Sequence, residues 1–388
     1  MVPPSPWGPL PSWVSDELPC RTDVVVVGGG LAGLSCALRL SEAGVDVVVL
    51  ESGPEIGEGA VGRGSGLAFL GLCEHPIQLA QALGDQDAED LIRLSEEALK
   101  LLEATGLASA KGGIWCASME REAEGIQRST HWLQGRGVAC RPVGAADVQQ
   151  ALGQGLDQGR LHPQELCLNP LDLLAALSRR LRGSEGRVCS GRRAESVTED
   201  GTGLVVLGDN WRIETELVVV AAGAWAPEVE PWFQEKVFPV RAQHRLEPQS
   251  EPPGALGRSQ HGYMTWGPAQ GGRLLSGCRW ASPHLEIGES TLELNAKVGQ
   301  KLREFSERRG GASNEEVQEW ASTMAFSCDG LPILGPVPGR PRIVACVGFN
   351  GQDLSLAMAC AEQVARGILE GGVGGISPRL LGSRFADG

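Results

Sequence analysis

The 388-residue sequence has no Cys-x-x-Cys pair, a single tyrosine, five lysines and no apolar run approaching a membrane span. The cysteines at 20, 36, 73, 116, 140, 167, 189, 278, 328, 346 and 360 are odd in number and scattered. That pattern excludes a zinc ribbon or a disulfide scaffold and suits buried free thiols in a reducing cytoplasm. A spanning helix needs roughly 18 or more consecutive apolar residues, so no membrane span is expected. Residues 1–22 lack the basic start and apolar stretch of a secretory signal and read instead as a Pro-rich arm. Basic residues are short: 34 Lys+Arg against 48 Asp+Glu give a net charge of −14. Bulk charge therefore offers nucleic acid or an anionic membrane no footprint. No metal site and no nucleophilic triad is evident.

What is present is globular: 42% hydrophobic and 21% charged residues, in a chain too long for one ordinary core. The 54 glycines gather in a few loops, the pattern of a backbone that must approach a ligand closely. Residues 23–27 are a β-branched run that ends in glycines. Leu31, Leu34 and Leu38 follow at helical spacing, Gly44 closes that helix, and residues 45–50 form a second apolar strand ending at Glu51. Strand, tight turn, helix and strand make a βαβ unit, and continuously apolar strands imply a sheet covered on both faces. A Gly-rich loop spans 53–71, and helical periodicity runs over 76–105. Asn169-Pro170 opens another helix. Strands are expected at 187–197, 203–207, 211–221, 237–247, 260–266, 273–280 and 343–347, and helices at 291–309 and 353–369. The last helix is apolar on nearly every face.

Gly28-Gly29-Gly30-Leu31-Ala32-Gly33 matches G-x-G-x-x-G, between a strand and a helix, with Glu51 standing 18 residues beyond the last glycine. Gly28 permits the tight turn, Gly30 lets backbone approach a pyrophosphate, and Gly33 lets helix and sheet pack closely. Leu31, Ala32 and the other first-turn residues offer unpaired N–H groups and a partial positive charge to an anion. Glu51, with Ser52 beside it, suits a ribose and disfavours a 2′-phosphate. The motif alone leaves FAD and NAD open.

Together with the second strand-turn Ala221-Ala222-Gly223-Ala224-Trp225, these residues resemble the flavin-dependent amine oxidase group of D-amino acid, glycine and sarcosine oxidases. The nearest pattern is the γ-glutamylputrescine oxidoreductase-like branch. The further matches are Pro11-Ser12-Trp13, residues 59–66, Leu168-Asn169-Pro170, Asp329-Gly330-Leu331-Pro332 and Gly348-Phe349-Asn350-Gly351. The resemblance implies a Rossmann-type α/β FAD domain built from discontinuous segments, 23–75, 165–230 and 325–388. An α+β substrate domain with an antiparallel sheet, 76–164 and 231–324, would accompany it. It implies extended FAD held by Gly28, Gly30, Gly33 and Glu51, with Ala194 by the adenine and Ala222, Gly223 and Trp225 beside the cofactor. Gly62, Arg63, Gly64, Ser65 and Gly66 would pass the flavin. Gly348, Asn350, Gly351, Gln352, Asp353, Leu354 and Ser355 would close over it, the last helix aiming its N-terminus at the ring.

Departures from the resemblance bear on the reaction. Ser355 and Leu275 stand where sarcosine oxidases carry lysines, and Ser322 where they attach FAD through cysteine. Non-covalent FAD and an electron acceptor of either oxygen or another carrier follow. Tyr263, Trp266, Arg279 and His244 are the candidate substrate-wall or catalytic residues, each with a structural alternative: core packing, a backbone-bonded hydroxyl or a solvated face. The expectation is a cytoplasmic enzyme oxidising the C–N bond of a small amine or amino acid by hydride transfer to flavin N5. A 2-hydroxy-acid dehydrogenase, a flavin-bound subunit without turnover and an NAD-binding protein are the alternatives.

Overall fold

The structure, a computed structural model, describes residues 7–8, 15–152, 158–201, 203–248, 255–269, 272–308, 317–373 and 375–385. Pro11-Ser12-Trp13 and most of the Pro-rich arm lie outside the described residues. The chain divides into two compact units, 8–63 with 170–240 and 323–388, and 1–7 with 64–169 and 241–322.

In the first of these units the opening strand Arg21–Val27 is the middle of a sheet. Its order is Ile333–Val337, Arg340–Val347, Trp211–Val220, Arg21–Val27, Val47–Leu50, Arg187–Cys189. The four pairings from Arg340–Val347 through to Arg187–Cys189 are parallel, for example Val25 with Val218 and Val48. Side chains alternate across a strand. Val25, Val27, Val48, Leu50, Val218 and Val220 join one cluster with Phe233, Val237 and Ile343. Val24 and Val26 are equally buried. The helix Leu31–Glu42 packs on both Pro170–Gly183 and Asp353–Glu370. Residues 354–361 of the last are all buried, as its all-round apolar sequence requires.

The other unit carries a nine-stranded sheet. Its order is Gln318–Ser327, Val237–Pro248, Gly272–Gly277, Met264–Ala269, Leu256–Ser259, Ala108–Cys116, Gln158–Leu168, Leu67–Ala68, with Arg141–Gly144 also on Gln158–Leu168. Residues 64–75, placed with the dinucleotide unit on sequence, cluster here because Leu67 and Ala68 pair with Cys167 and Leu166. One face packs Ile114, Met264, Trp266, Leu275, Leu302 and Phe305. The helix expected over 76–105 is two helices, Pro76–Leu83 and Asp85–Ala104, because Gly84 between them has φ +92°. The strand expected at 260–266 starts only at Met264, after a turn. Residues 187–197 are two strands, Arg187–Cys189 and Ser196–Asp200, and Ala194 lies in the connection between them. All eleven cysteines are free thiols, seven of them buried.

Candidate functional site

The first turn is shaped by three glycines with three different surroundings. Gly28 has φ +112°, donates its N–H to Leu50 O at 2.8 Å, and has Ala221 O 2.4 Å from where a Cβ would stand. A Cβ on Gly33 would stand 1.9 Å from Gly28 O, so the helix can lie on the strand end only without a side chain. A Cβ on Gly30 would meet nothing within 4 Å. Gly30 is the N-cap of Leu31–Glu42, which has no side-chain cap and no acid in its first turn. A helix start left without an internal anion presents its dipole and N–H groups outward. Leu31 and Ala32 are buried.

Glu51, at the end of Val47–Leu50, accepts from Gly29 N–H (2.9 Å), Gly53 N–H (2.8 Å) and the exposed Ser52 hydroxyl (3.2 Å). Burial raises its pKa, while the two backbone donors lower it. The chain after Arg187–Cys189 is tied to this corner by Arg192 N–H to Glu51 O and Gly191 N–H to Gly53 O, both 2.7 Å. That brings the buried Ala194 connection to the acidic end of the second strand. Gly62 stacks on Gly57, whose carbonyl would lie 2.1 Å from an added Cβ. Arg63 is buried and donates from Nε to Glu58 O at 3.1 Å.

Two further turns of the same unit lie at ends of its sheet strands. Ala221 N–H bonds Val27 O at 2.8 Å, so the Ala222-Gly223 turn sits beside the first glycine turn. Trp225, in the 3-10 turn Gly223–Trp225, is exposed. After Arg340–Val347, Gly348, Asn350 and Gly351 all have positive φ. The Asn350 amide holds this reversal, with Oδ1 accepting from Ser327 N–H (2.9 Å) and Nδ2 donating to Gly348 O (2.7 Å). Gln352 is the N-cap of Asp353–Glu370, with Leu354 and Ser355 buried. Burial raises Asp353 to about 6.

In the other unit, Gly66 has φ +69° and lies against the Trp7 ring and Leu168 O. Gly64 O accepts the Trp7 indole N–H at 2.9 Å, and Ser65 is half-buried next to it. The four substrate-wall candidates separate into two kinds. Tyr263 is 39% exposed, in the turn before Met264–Ala269, with the Arg279 guanidinium 4.9 Å over its ring. Arg279 belongs to the 3-10 turn Arg279–Ala281 rather than to a strand. Trp266 is a core residue, 1% exposed, its ring 6.1 Å from Phe305 and covering Gly257. His244 is buried too, with Nε2 2.8 Å from Ser322 Oγ and its ring stacked on Trp320. Burial drives its pKa to about 3, which keeps the ring neutral. Both placements share one cause: strand alternation puts Trp266 and His244 on covered faces of the sheet, which the polar neighbours in the sequence conceal.

The sequence reading missed a buried polar layer in this unit. Arg160, Trp115 and Arg258 are register partners on three adjacent strands. His75 and Glu122 cover them, and Arg258 pairs with Glu165 at 3.1 Å. No local motif announces it, because the residues come from four distant segments.

Fit to a dinucleotide follows from the donor set of the first unit. It has an uncapped helix start, open space over Gly30 alone of the three fingerprint glycines, and a carboxylate at the second strand end. Packing requires glycine at 28 and 33, whereas the space over Gly30 is open to an outside group.

Comparison with known proteins agrees. The model of the FAD dependent oxidoreductase family, DAO, matches residues 23–366. A glycine oxidase of Bacillus licheniformis is 24% identical over 90% of this chain and 93% of its own. The tRNA 5-methylaminomethyl-2-thiouridine biosynthesis bifunctional protein MnmC of Paracidovorax citrulli is 27% identical over 92% of this chain. The chain spans 60% of that relative's length. The crystal structure of glycine oxidase from Geobacillus kaustophilus superposes with a TM-score of 0.72 at 22% identity, covering 91% of this chain and 96% of that one. L-amino acid deaminase from Proteus vulgaris with its specific insertion sequence deleted gives 0.77 at 18% identity, covering 99% of both. The last two likenesses speak for the fold. No helix among the described residues is long and apolar enough to cross a membrane. With the family model spanning most of the sequence, the chain belongs to the DAO family of FAD-dependent oxidoreductases.

Proposed function

We propose that the protein oxidises the C–N bond of a small amine or amino acid, giving an imine that water hydrolyses. The observation that carries the reading is the open, uncapped helix start at Gly30 with Glu51 beyond it, inside a chain whose family is FAD-dependent. Bound FAD supplies the acceptor for the substrate hydride. The N–H groups following Gly30 would take the pyrophosphate and Glu51 the ribose. Ala194 would lie by the adenine, Ala222, Gly223 and Trp225 along the cofactor, and Gly62, Arg63 and residues 348–355 by the flavin. The named relatives that act on glycine and L-amino acids support an amino-acid-like substrate.

For the substrate itself, Tyr263 and Arg279 replace Trp266 and His244 as the residues of choice. They form an accessible pair in which a phenol and a guanidinium share one surface, suited to orienting a carboxylate beside an apolar group. Leu275 is fully buried among apolar neighbours, and no lysine stands between 237 and 296. That favours an electron acceptor other than dioxygen. Ser322 is hydrogen-bonded to His244, which favours FAD held without a covalent link.

The test is anaerobic titration of the purified holoprotein with amines, amino acids and 2-hydroxy acids while following the flavin bands. Bleaching by an amine or amino acid is expected. Bleaching by hydroxy acids alone would transfer the reading to C–O oxidation. Failure of every compound would remove it.

A further inference from the structure

The buried polar layer of the sheet unit leaves several hydrogen-bonding atoms unpaired, among them Arg160 Nε and Nη1, both ring nitrogens of His75, and Glu165 Oε2. Arg160, Trp115 and Arg258 form one cross-strand row. The two guanidinium carbons lie 5.3 and 3.9 Å from the Trp115 ring centroid, and His75 stacks on that indole at 4.1 Å. Arg258 is committed through both terminal nitrogens, and only its Nε lacks an acceptor: Nη2 donates to Glu165 Oε1 (3.1 Å) and Leu70 O (2.8 Å), and Nη1 to Leu72 O (3.3 Å). Glu122 is committed as well. It accepts from the Trp115 indole (3.2 Å), His261 N–H (2.7 Å), Ser118 N–H (2.7 Å) and the Ser118 hydroxyl (2.5 Å).

Arg160 differs. It is 1% exposed, and its Nε and Nη1 have no protein acceptor. His75, also 1% exposed, has no partner on either ring nitrogen. Arginine keeps its charge at any ordinary pH. Burial and Arg258 bring Arg160 down only to about 10. The Glu165 charge acts on Arg160 without hydrogen-bonding its Nε or Nη1, and a buried cation with unused donors is costly, so an acceptor carrying charge offsets the most.

The sign of the field decides what can bind. His75, Glu122 and His261 offer three ligand atoms within 4.8 Å of one another, a spacing that would suit a metal ion. Yet Glu122 already accepts four donors, and a divalent cation there would face two guanidiniums. Both arginines depress His75, to about 3 after burial has acted, and both also depress the buried His162 two residues from Arg160 on the same strand. Burial and the two guanidiniums thus both act against a positive charge at either ring.

We propose that this layer is a binding site for a small monoanion, a halide or the carboxylate of an organic acid, held by the Nε–H and Nη1–H of Arg160 with a ring N–H of His75 as third donor. His261 is the half-buried member of the surrounding cluster, so an ion enters from its side. The site is independent of the flavin reaction.

Bromide exchanged into crystals of the holoprotein locates the ion by anomalous scattering, and chlorine NMR linewidths report it in solution. The expected result is an anomalous peak in contact with Arg160 Nε, and excess chloride broadening that bromide relieves. Arg160→Gln should weaken chloride at least about tenfold, whereas the surface variant Arg39→Gln leaves it unchanged. Arg160→Lys keeps the charge and loses the fork, so it is expected to fold and to bind more weakly. Displacement of bromide by formate assigns a carboxylate, and indifference to formate assigns a halide. No bromide peak at Arg160, with equal chloride broadening in wild type and Arg160→Lys, overturns the proposal. So does cobalt or zinc bound through His75 and His261.

Discussion

Replacing Gly30 by alanine separates the two jobs a glycine can do in the opening turn. Its backbone angles, φ −78° and ψ −175°, are extended and open to any residue, and a Cβ there meets nothing within 4 Å. The apoprotein should therefore keep its stability or gain about 0.4–1 kcal/mol through a less entropic unfolded chain. The new methyl nevertheless stands at the uncapped start of Leu31–Glu42, where a diphosphate must come close to backbone N–H groups. Losing one charge-assisted hydrogen bond, about 1.5–3 kcal/mol, corresponds to roughly a tenfold to hundredfold weaker Kd for FAD. Gly33→Ala acts in the opposite sense. Its Cβ would lie 1.9 Å from the Gly28 carbonyl oxygen, a backbone atom that cannot move without the strand. The fold itself should lose about 1–3 kcal/mol or more. Urea unfolding of both apoproteins, beside FAD titration followed by flavin fluorescence, reads the two effects separately. A Gly30→Ala protein that binds FAD like wild type, or that unfolds as readily as Gly33→Ala, would refute the assignment of this turn.

Three more expectations follow from buried groups. Glu247 is fully buried between Arg245 (2.6 Å) and Arg273 (2.9 Å), so Glu247→Gln leaves two guanidiniums without their shared carboxylate. A loss of about 3–5 kcal/mol in chemical denaturation is expected, and a loss below about 1 kcal/mol would contradict the reading. His244→Gln should destabilise the protein by about 1–3 kcal/mol, yet leave the pH profile of kcat/KM unchanged between about pH 5 and 8, since His244 does not titrate there. Asp353 rises from 3.8 to about 6 in the folded chain. A raised carboxyl contributes stability below its unfolded pKa and loses it as pH climbs through the folded one. The Tm of Asp353→Asn minus that of wild type should therefore grow from pH 4 to pH 7, and a constant difference would show that Asp353 does not titrate in this way.

The parts legible in the sequence are those whose reason is local. The βαβ opening can be read because period, glycines and the acidic strand end all fall within residues 21–51. The last helix is legible from its all-round apolar composition. Tertiary pairing writes the rest. Ile333–Val337 looks like a Pro- and Gly-rich loop, yet it is a strand because Arg340–Val347 lies antiparallel beside it. Glycine ends a helix at 84 that the leucine spacing carries straight through. Trp266 and His244 look like site residues from their polar company, although cross-strand partners far along the chain cover them. The Arg160, Trp115 and Arg258 row can be found only once register is known.

Among the described residues, every buried cation is an arginine: 63, 160, 241, 245, 258 and 273. None of the five lysines is buried. A lysine interior discharges in alkali, whereas guanidinium does not. The interior should thus hold its ionic bonds in mild base, whereas in acid the Arg258–Glu165 pair should yield early, because burial raises the Glu165 carboxyl. Tolerance to pH is lopsided by construction, and the choice of one basic side chain over the other sets which way it leans.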